Sequence, residues 1–547
     1  MSSATTWVPS DDASVFATFA ASAVRWAERP FVHIPQTAAQ DYSSAPVALS
    51  YAQAATRISD LVARYEAMAL RRGHRMALML DNRAEFFLHY LALNARGVSA
   101  VPLNREATVE EIAHVVRDSG CIYVRALPEH RSLLERVVAQ LENPPRLSFD
   151  DEPPSGWTAR NLPVVAGPDE AALLYTSGST GAPKGCRLSN AYMLTMGRWY
   201  CNIGGLCAVE EGLERLATPL PLVHMNALAV SAMAMMMSGG CIVQLDRFHP
   251  SSWWRTIRAS GATIVHYLGV MPAILLQAPP SAEDRQHSIK FGFGAGVHPK
   301  HHRAFEERFG FPLIESWSMT EVGAGAAIVA STEPRHVGER CFGRPSAAVE
   351  YRILDDHGAD VAQDASGELW VRAGGDDPRA GFFSGYNNQT ALTEVAWEGG
   401  YFHTGDVVRR GADGSLHFVD RKKSIVRRSG ENIASLEVEA VLNQLPEVRG
   451  VGVGPVDDEI RGEEVMACIQ LAAGVAPCEA AALGIFRAAA ERLAYFKVPG
   501  YIAFVPELPL TASQKLQRGV LRTRSQSLVD NGHAFDLRNH KKRPGRH

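Results

Sequence analysis

Leu174-Tyr175-Thr176-Ser177-Gly178-Ser179-Thr180-Gly181-Ala182-Pro183-Lys184-Gly185 is the stretch around which the rest of the chain reads. The run 171–175 is apolar and short enough for a buried strand. Residues 186–188 read as a second strand, and Ser189 or Asn190 then caps a helix running on from Ala191. Between them stand Gly178, Gly181 and Gly185, the hydroxyls of Thr176, Ser177, Ser179 and Thr180, and Lys184. Such a loop offers backbone N–H groups, hydroxyl donors and a cation to a polyanion, which is what a triphosphate requires. A plain Ser/Gly turn would not be an ordered string ending in Lys-Gly. It is not a P-loop of the GxxxxGK[ST] kind, because Gly185 follows Lys184 where that loop needs a magnesium-binding hydroxyl.

The 547 residues are 46% hydrophobic, enough for several core-sized units and no case for disorder. Lysine and arginine number 55 against 59 acids, a net charge of −4 that argues against nucleic acid as the main partner. The eight cysteines are scattered without a CxxC pair, which reads as free thiols in a reducing, cytoplasmic setting. Residues 1–12 lack a basic-then-apolar leader, and the most apolar helix candidate, 227–237, is too short to span a bilayer. The basic tail 540–547 reads as a frayed, solvated end.

The first 150 residues alternate helices and strands. Ser50 with Gln53 and Thr108 with Glu111 form capping boxes, 76–80, 99–102 and 121–124 read as strands, and 85–96 reads as a helix ended by Gly97. The pattern restarts after the quoted loop: a Met-rich helix at 227–237, strands at 241–245, 263–268 and 289–293, and a helix over Trp253 and Trp254 capped by Ser251 or Ser252. The methionines read as core packing. Both stretches predict layered α/β units with parallel sheets. From 337 to about 419 short strands and Gly/Asp turns predict a small β-rich piece. A charged break at 420–423 separates a large N-terminal domain, 1–420, from a small α+β domain, 421–547.

The quoted loop resembles the signature of the acyl-adenylate-forming (AMP-binding) superfamily, which holds acyl-CoA synthetases, peptide-synthetase adenylation domains and luciferases. Further segments match it in order. Glu315-Ser316-Trp317-Ser318-Met319-Thr320-Glu321 resembles the segment that packs on adenine and contacts phosphate and metal, and Gly294-Ala295-Gly296 the loop flanking the base. Tyr401-Phe402-His403-Thr404-Gly405-Asp406 resembles the ribose-binding string, with Asp406 accepting from the ribose hydroxyls, and Arg421 the arginine that touches ribose and phosphate. Lys423 stands at the family's hinge. Ser429-Gly430-Glu431-Asn432 resembles the loop lining the CoA thiol tunnel, Lys515 the catalytic lysine, and His224-Met225-Asn226, with Ser318, the border of the acid pocket. The resemblance implies Mg²⁺ held by Glu321 and Thr176. The segments 265–271 and 294–297 look most like the crotonobetaine/carnitine-CoA ligase branch.

The reaction this implies has two steps: a carboxylate and ATP give acyl-AMP and pyrophosphate, and CoA then displaces AMP. The substrates are a small carboxylic acid, ATP and CoA, with Mg²⁺ as cofactor. No nucleic acid or membrane span is expected, and a homodimer stays open. Ser318 leaves room for an acid larger than acetate. By resemblance, the small domain rotates after adenylation, withdrawing Lys515 and presenting Gly430 to the thiol. Two other readings stay open. One is an adenylation enzyme that loads a carrier protein. The other is a nucleotide-binding protein without catalysis, against which intact Lys515, Asp406, Arg421 and Glu321 argue.

Overall fold

A computed structural model describes residues 13–39, 41–149, 164–176, 183–297, 299–355, 357–421, 425–509, 516 and 518–541. Four sheets organise them. The first runs in the order Arg146–Ser148, Tyr123–Ala126, Arg75–Met79, Ser99–Pro102, Glu170–Thr176 and Lys184–Ser189. Its strands are parallel except the last pair, a hairpin whose connection carries the quoted loop. The second sheet has eight strands, and its parallel middle runs through Leu313–Trp317, Phe291–Ala295, Ile264–Leu268, Arg215–Thr218, Cys241–Gln244 and Pro30–Ile34. The first 150 residues therefore do not form one unit: Pro30–Ile34 and Val47–Ser50 cross over to the second sheet, beside Cys241–Gln244. Strand periodicity shows that a segment is a strand, not which sheet it joins.

Local signals hold where they are strong. The two capping boxes form, and Ser189 caps the helix Asn190–Cys201 through the Tyr192 amide at 3.1 Å. The Met-rich segment differs from expectation. It opens as a π-helix, Asn226–Ala232, and becomes α-helical only over Met233–Ser238. The Ser231 hydroxyl donates to the Asn226 carbonyl five residues back, at 3.0 Å, the spacing that a wider turn needs. Ser252 occupies the N-cap of Trp253–Ser260 without a side-chain cap bond, because its backbone is already helical. Met233, Met235, Met236 and Met237 are buried in the main core.

The third sheet is a five-stranded antiparallel one, from Cys341–Gly343 to Leu416–Arg421, which is the β-rich piece. The main core ends at Leu416, and a separate core begins at Val426 and runs to Leu537. The tail is not wholly solvated. Lys541 is buried, its ammonium 2.6 Å from Glu464, whose other oxygen accepts from Arg428 at 2.7 Å. Burial pushes this ammonium down to about 7.

The buried Tyr51 hydroxyl joins the helix Tyr51–Ala67 to the carbonyls of Met235 and Gly240, at 2.9 Å each. Tyr51→Phe strips both carbonyls of that donor and should cost about 1–3 kcal/mol, read as a lower urea midpoint at unchanged slope.

Candidate active site

The parallel strands of the second sheet end at a cavity of about 590 Å³ that also touches the first and third sheets and the C-terminal domain. A crevice beyond the carboxyl ends of parallel strands is where open α/β sheets bind ligands. Gly294 is the penultimate residue of one such strand, Phe291–Ala295. A Cβ there would lie 2.2 Å from the Tyr267 carbonyl oxygen, so the close approach of the two strands requires glycine. Beyond it, the Gly296 and Val297 amides donate to the Glu315 carboxylate at 3.1 and 2.8 Å. Glu315 thus pins the 294–297 loop, and its burial raises its carboxyl above the usual range. The Ser316 hydroxyl donates to the Gly294 carbonyl at 3.2 Å.

Trp317 and Asp406 meet across two sheets. The indole Nε1–H donates to the Asp406 carboxylate at 2.8 Å, and both are buried, Asp406 at 2% exposure. The Asp406 amide is held by the Thr404 hydroxyl at 3.0 Å. Asp406 is the backbone partner of Arg421 in the antiparallel register. Arg427, which sequence reasoning passed over, brings its guanidinium to 3.8 Å from Asp406 and over the Phe418 ring at 4.4 Å.

Glu321 accepts from the Tyr386 hydroxyl at 3.0 Å, and the Lys184 ammonium sits over the Tyr386 ring, 4.9 Å from its centre. Lys184 is the register partner of Thr176. Tyr386 was also missed. It arrives because 385–387 pairs with the strand Lys184–Ser189, the Asn387 amide donating to the Gly185 carbonyl at 2.7 Å. Its only local signal was an aromatic after Gly385. The Tyr192 hydroxyl donates to the Thr320 carbonyl at 2.9 Å, fixing the turn between Met319 and Glu321. Thr176, Ser318, Met319, Thr320 and Glu321 all line the cavity. One buried carboxylate and one hydroxyl at a polyanion pocket suit Mg²⁺, which takes few protein ligands and keeps phosphate and water oxygens. No cluster of three or more His, Cys, Asp or Glu suited to a metal occurs among the described residues. Burial pushes the Cys186 thiol up, so it is no nucleophile.

Farther in, Met196, Trp199, Met225, Asn226, Val230 and Phe293 line the cavity. Behind them lies His266, wholly buried and unforeseen. It contacts the Asn226 side chain at 2.7 Å, the Ser231 hydroxyl at 3.0 Å and the Tyr200 hydroxyl at 2.9 Å. At the mouth, His224 faces Glu431 at 3.9 Å. Gly430, with φ +89°, abuts Leu268, and a Cβ there would lie 2.1 Å from a Leu268 methyl. Ser429 lines an adjoining cavity of about 240 Å³ shared with His224, Gly430 and Glu431. Asn432 lies in the strand Glu431–Ala434. Ser177, Gly178, Ser179, Thr180, Gly181, Lys423 and Lys515 lie outside the described residues.

A family model described as AMP-binding enzyme matches residues 19–386, and one described as AMP-binding enzyme C-terminal domain matches 437–515. A crotonobetaine/carnitine–CoA ligase of Escherichia coli is 28% identical over 490 residues, 86% of this chain and 93% of the ligase. The amide bond synthetase McbA of Marinactinospora thermotolerans shares the fold with a TM-score of 0.78 at 24% identity, over 92% of this chain and 99% of that one. An o-succinylbenzoate CoA synthetase of Bacillus subtilis bound with a product analogue, OSB-NCoA, gives 0.79 at 24% identity, over 94% and 99%. The same enzyme in complex with its acyl-adenylate intermediate gives 0.65 at 24% identity, over 93% and 98%.

Burial holds the His266 imidazole down to about 3. The unfolded side chain takes up a proton below its ordinary 6.5, so this contribution to stability is whole above that value and is lost as pH falls from there towards 3. The unfolding free energy should be about 1.2 kcal/mol lower at about pH 5.5 than at about pH 7 from this group, approaching a slope of about 1.4 kcal/mol per pH unit only below that range. The drop should be smaller in His266→Gln.

Proposed function

The chain belongs to the AMP-binding enzyme family, and on that premise we propose that this cavity joins a carboxylic acid to coenzyme A at the expense of ATP. One carboxylate oxygen of the acid bonds to the α-phosphorus, and the bond to pyrophosphate breaks, leaving acyl-AMP. The CoA thiolate then bonds to the acyl carbonyl, and AMP departs with the oxygen that came from the acid. A carboxylate is a poor nucleophile towards an anionic phosphate, so the protein must mask charge and align the two groups.

The observation that carries this reading is convergence. The Trp317–Asp406 pair, Glu321 and Thr176, the 294–297 backbone and Gly430 all border one cavity. In the proposed roles, Trp317 offers its ring and the 294–296 backbone its flat approach to the adenine. Asp406 accepts from the ribose hydroxyls, with Arg427 near it and Arg421, its partner in the strand register, as a second cation. The loop from Thr176 to Gly181, with Lys184, cradles the phosphates. Glu321 and Thr176 would hold Mg²⁺, which when bound neutralises phosphate charge. Lys515 brings the cation that offsets the approaching carboxylate and α-phosphate. The closer superposition on the product-analogue complex than on the acyl-adenylate complex of the same relative supports reading this domain arrangement as the thiol-transfer one. Gly430 and Glu431 standing at Leu268 and His224 support it too.

Met196, Trp199, Val230 and Phe293 favour an acid larger than acetate with an apolar body. Pyrophosphate release from MgATP across a panel of acids, from acetate through medium-chain, aromatic and betaine-type acids, tests this with and without CoA. Acid-dependent release that turns over only with CoA is expected, strongest for apolar or aromatic acids. Release indifferent to CoA would point to another acceptor, such as a carrier protein. Lys515→Ala should lose adenylation by roughly 10²–10³-fold, the scale of one transition-state donor. It should keep most of the thiol step when given acyl-AMP, and equal loss of both steps would contradict the alternating roles of the small domain.

A further inference from the structure

The face where the two domains meet buries a charge cluster that the chemistry above does not use. Lys497, in the small domain, donates to Glu437 of the helix Ser435–Leu442 at 2.6 Å. The same ammonium donates to Glu111, which belongs to the helix Val109–Ser119 of the large domain. The three side chains are only 10, 11 and 12% exposed, Lys497 first and Glu111 last. Glu111 is also held from its own side, its second oxygen accepting from the Thr108 amide at 2.7 Å. One oxygen of Glu437 is buried with no hydrogen-bond partner. Lys497 and Glu111 line the edge of the same cavity, and two carboxylates with one ammonium leave one negative charge too many for so buried a site, which is costly unless a proton is shared.

The cluster sits where it can control the thiol loop. The helix Ser435–Leu442 follows directly on the strand Glu431–Ala434, so fixing Glu437 fixes the chain that carries Gly430 and Glu431 against Leu268 and His224. We propose that Lys497 is a positioning residue: clamped between Glu111 and Glu437, it latches the small domain in the arrangement that serves thiol transfer and must let go for adenylation. This rests on the two-step ligase reading. Lys497 acts through the loop and not on the reacting atoms.

The latch responds to pH. The charged groups facing Glu437 are Lys497 and Glu111, while Glu439 of the same helix is engaged by Arg518 at 2.5 and 2.8 Å. Burial, with Glu111 beside it, pushes Glu437 up to about 7, while Lys497 helps hold Glu111 down. The docked cluster therefore keeps a proton that the separated carboxyls release. Between the ordinary carboxyl range and about 7, docking weakens as pH rises; below that range, protonating Glu111 removes its ion pair with Lys497.

The two half-reactions of the full-length enzyme are measured separately with the best acid of the panel. Acid-dependent pyrophosphate exchange into ATP reports adenylation, and AMP release from preformed acyl-AMP with CoA reports thiol transfer. Lys497→Met should slow thiol transfer by roughly tenfold or more, the scale of about 1.4 kcal/mol, and leave exchange within about twofold. Lys497→Arg should restore most of the loss. Glu437→Gln, a neutral mimic, should match the parent's thiol rate near pH 6 and exceed it by up to roughly tenfold near pH 8, one pKa unit's worth of relief. Equal slowing of both steps by Lys497→Met, or no slowing, overturns the latch. So does a Glu437→Gln profile that parallels the parent's, and that comparison decides alone if Lys497→Met does not fold. A parent inactive in exchange with every acid overturns the ligase reading itself and the latch with it, which separates the two failures.

Discussion

A single buried hydrogen bond, from the Trp317 indole to the Asp406 carboxylate, ties the parts of this site together. Trp317 ends a strand of the eight-stranded mixed sheet, and Asp406 lies in the middle of an antiparallel strand of the small β-rich sheet. The bond sets the angle of the ring, uses one carboxylate oxygen and turns the other towards Arg427 of the small domain. An unpaired carboxylate at that depth would carry a desolvation cost of several kcal/mol. The indole and the arginine are the partners that offset that cost. The aromatic face, the carboxylate and the small domain's cation meet at one contact.

Charge is managed in the same way elsewhere. Glu315 is spent on two backbone amides and so shapes a loop. Glu321 is oriented by Tyr386, over which Lys184 lies. Lys541, from a tail that reads as solvent-exposed, is buried against Glu464, which it shares with Arg428, the residue before Ser429 in the chain. The cations and anions of the small domain therefore do more than coat its surface. They set the positions of the loops it presents to the cavity.

The order of elements and the motif strings were legible because they are local. A capping box needs only Ser50 and Gln53, and a short apolar run after a turn needs no partner to be read as a strand. Asp406, Trp317 and Glu321 were legible for the same reason, each inside a specific string. What could not be read depends on register between distant segments. Tyr386 reaches Glu321 only because 385–387 pairs with a strand two hundred residues earlier in the chain. Arg427 belongs to none of the recognised strings, and His266 reads only as part of the strand 263–268; sheet order places them beside Asp406 and Asn226. The π-helical opening at Asn226 was hidden too, since its apolar pattern is that of a buried α-helix. Pro30–Ile34 joined a sheet built mostly from residues beyond 200, which strand propensity does not encode.

The central claim is that the acid is activated as an adenylate inside this cavity. Its most direct test is a single turnover with an acid labelled with heavy oxygen in its carboxylate, followed by mass analysis of the products. The expected result is one labelled oxygen in the phosphate of AMP and none in pyrophosphate. Label in pyrophosphate or inorganic phosphate, or unlabelled AMP alongside thioester product, would contradict it.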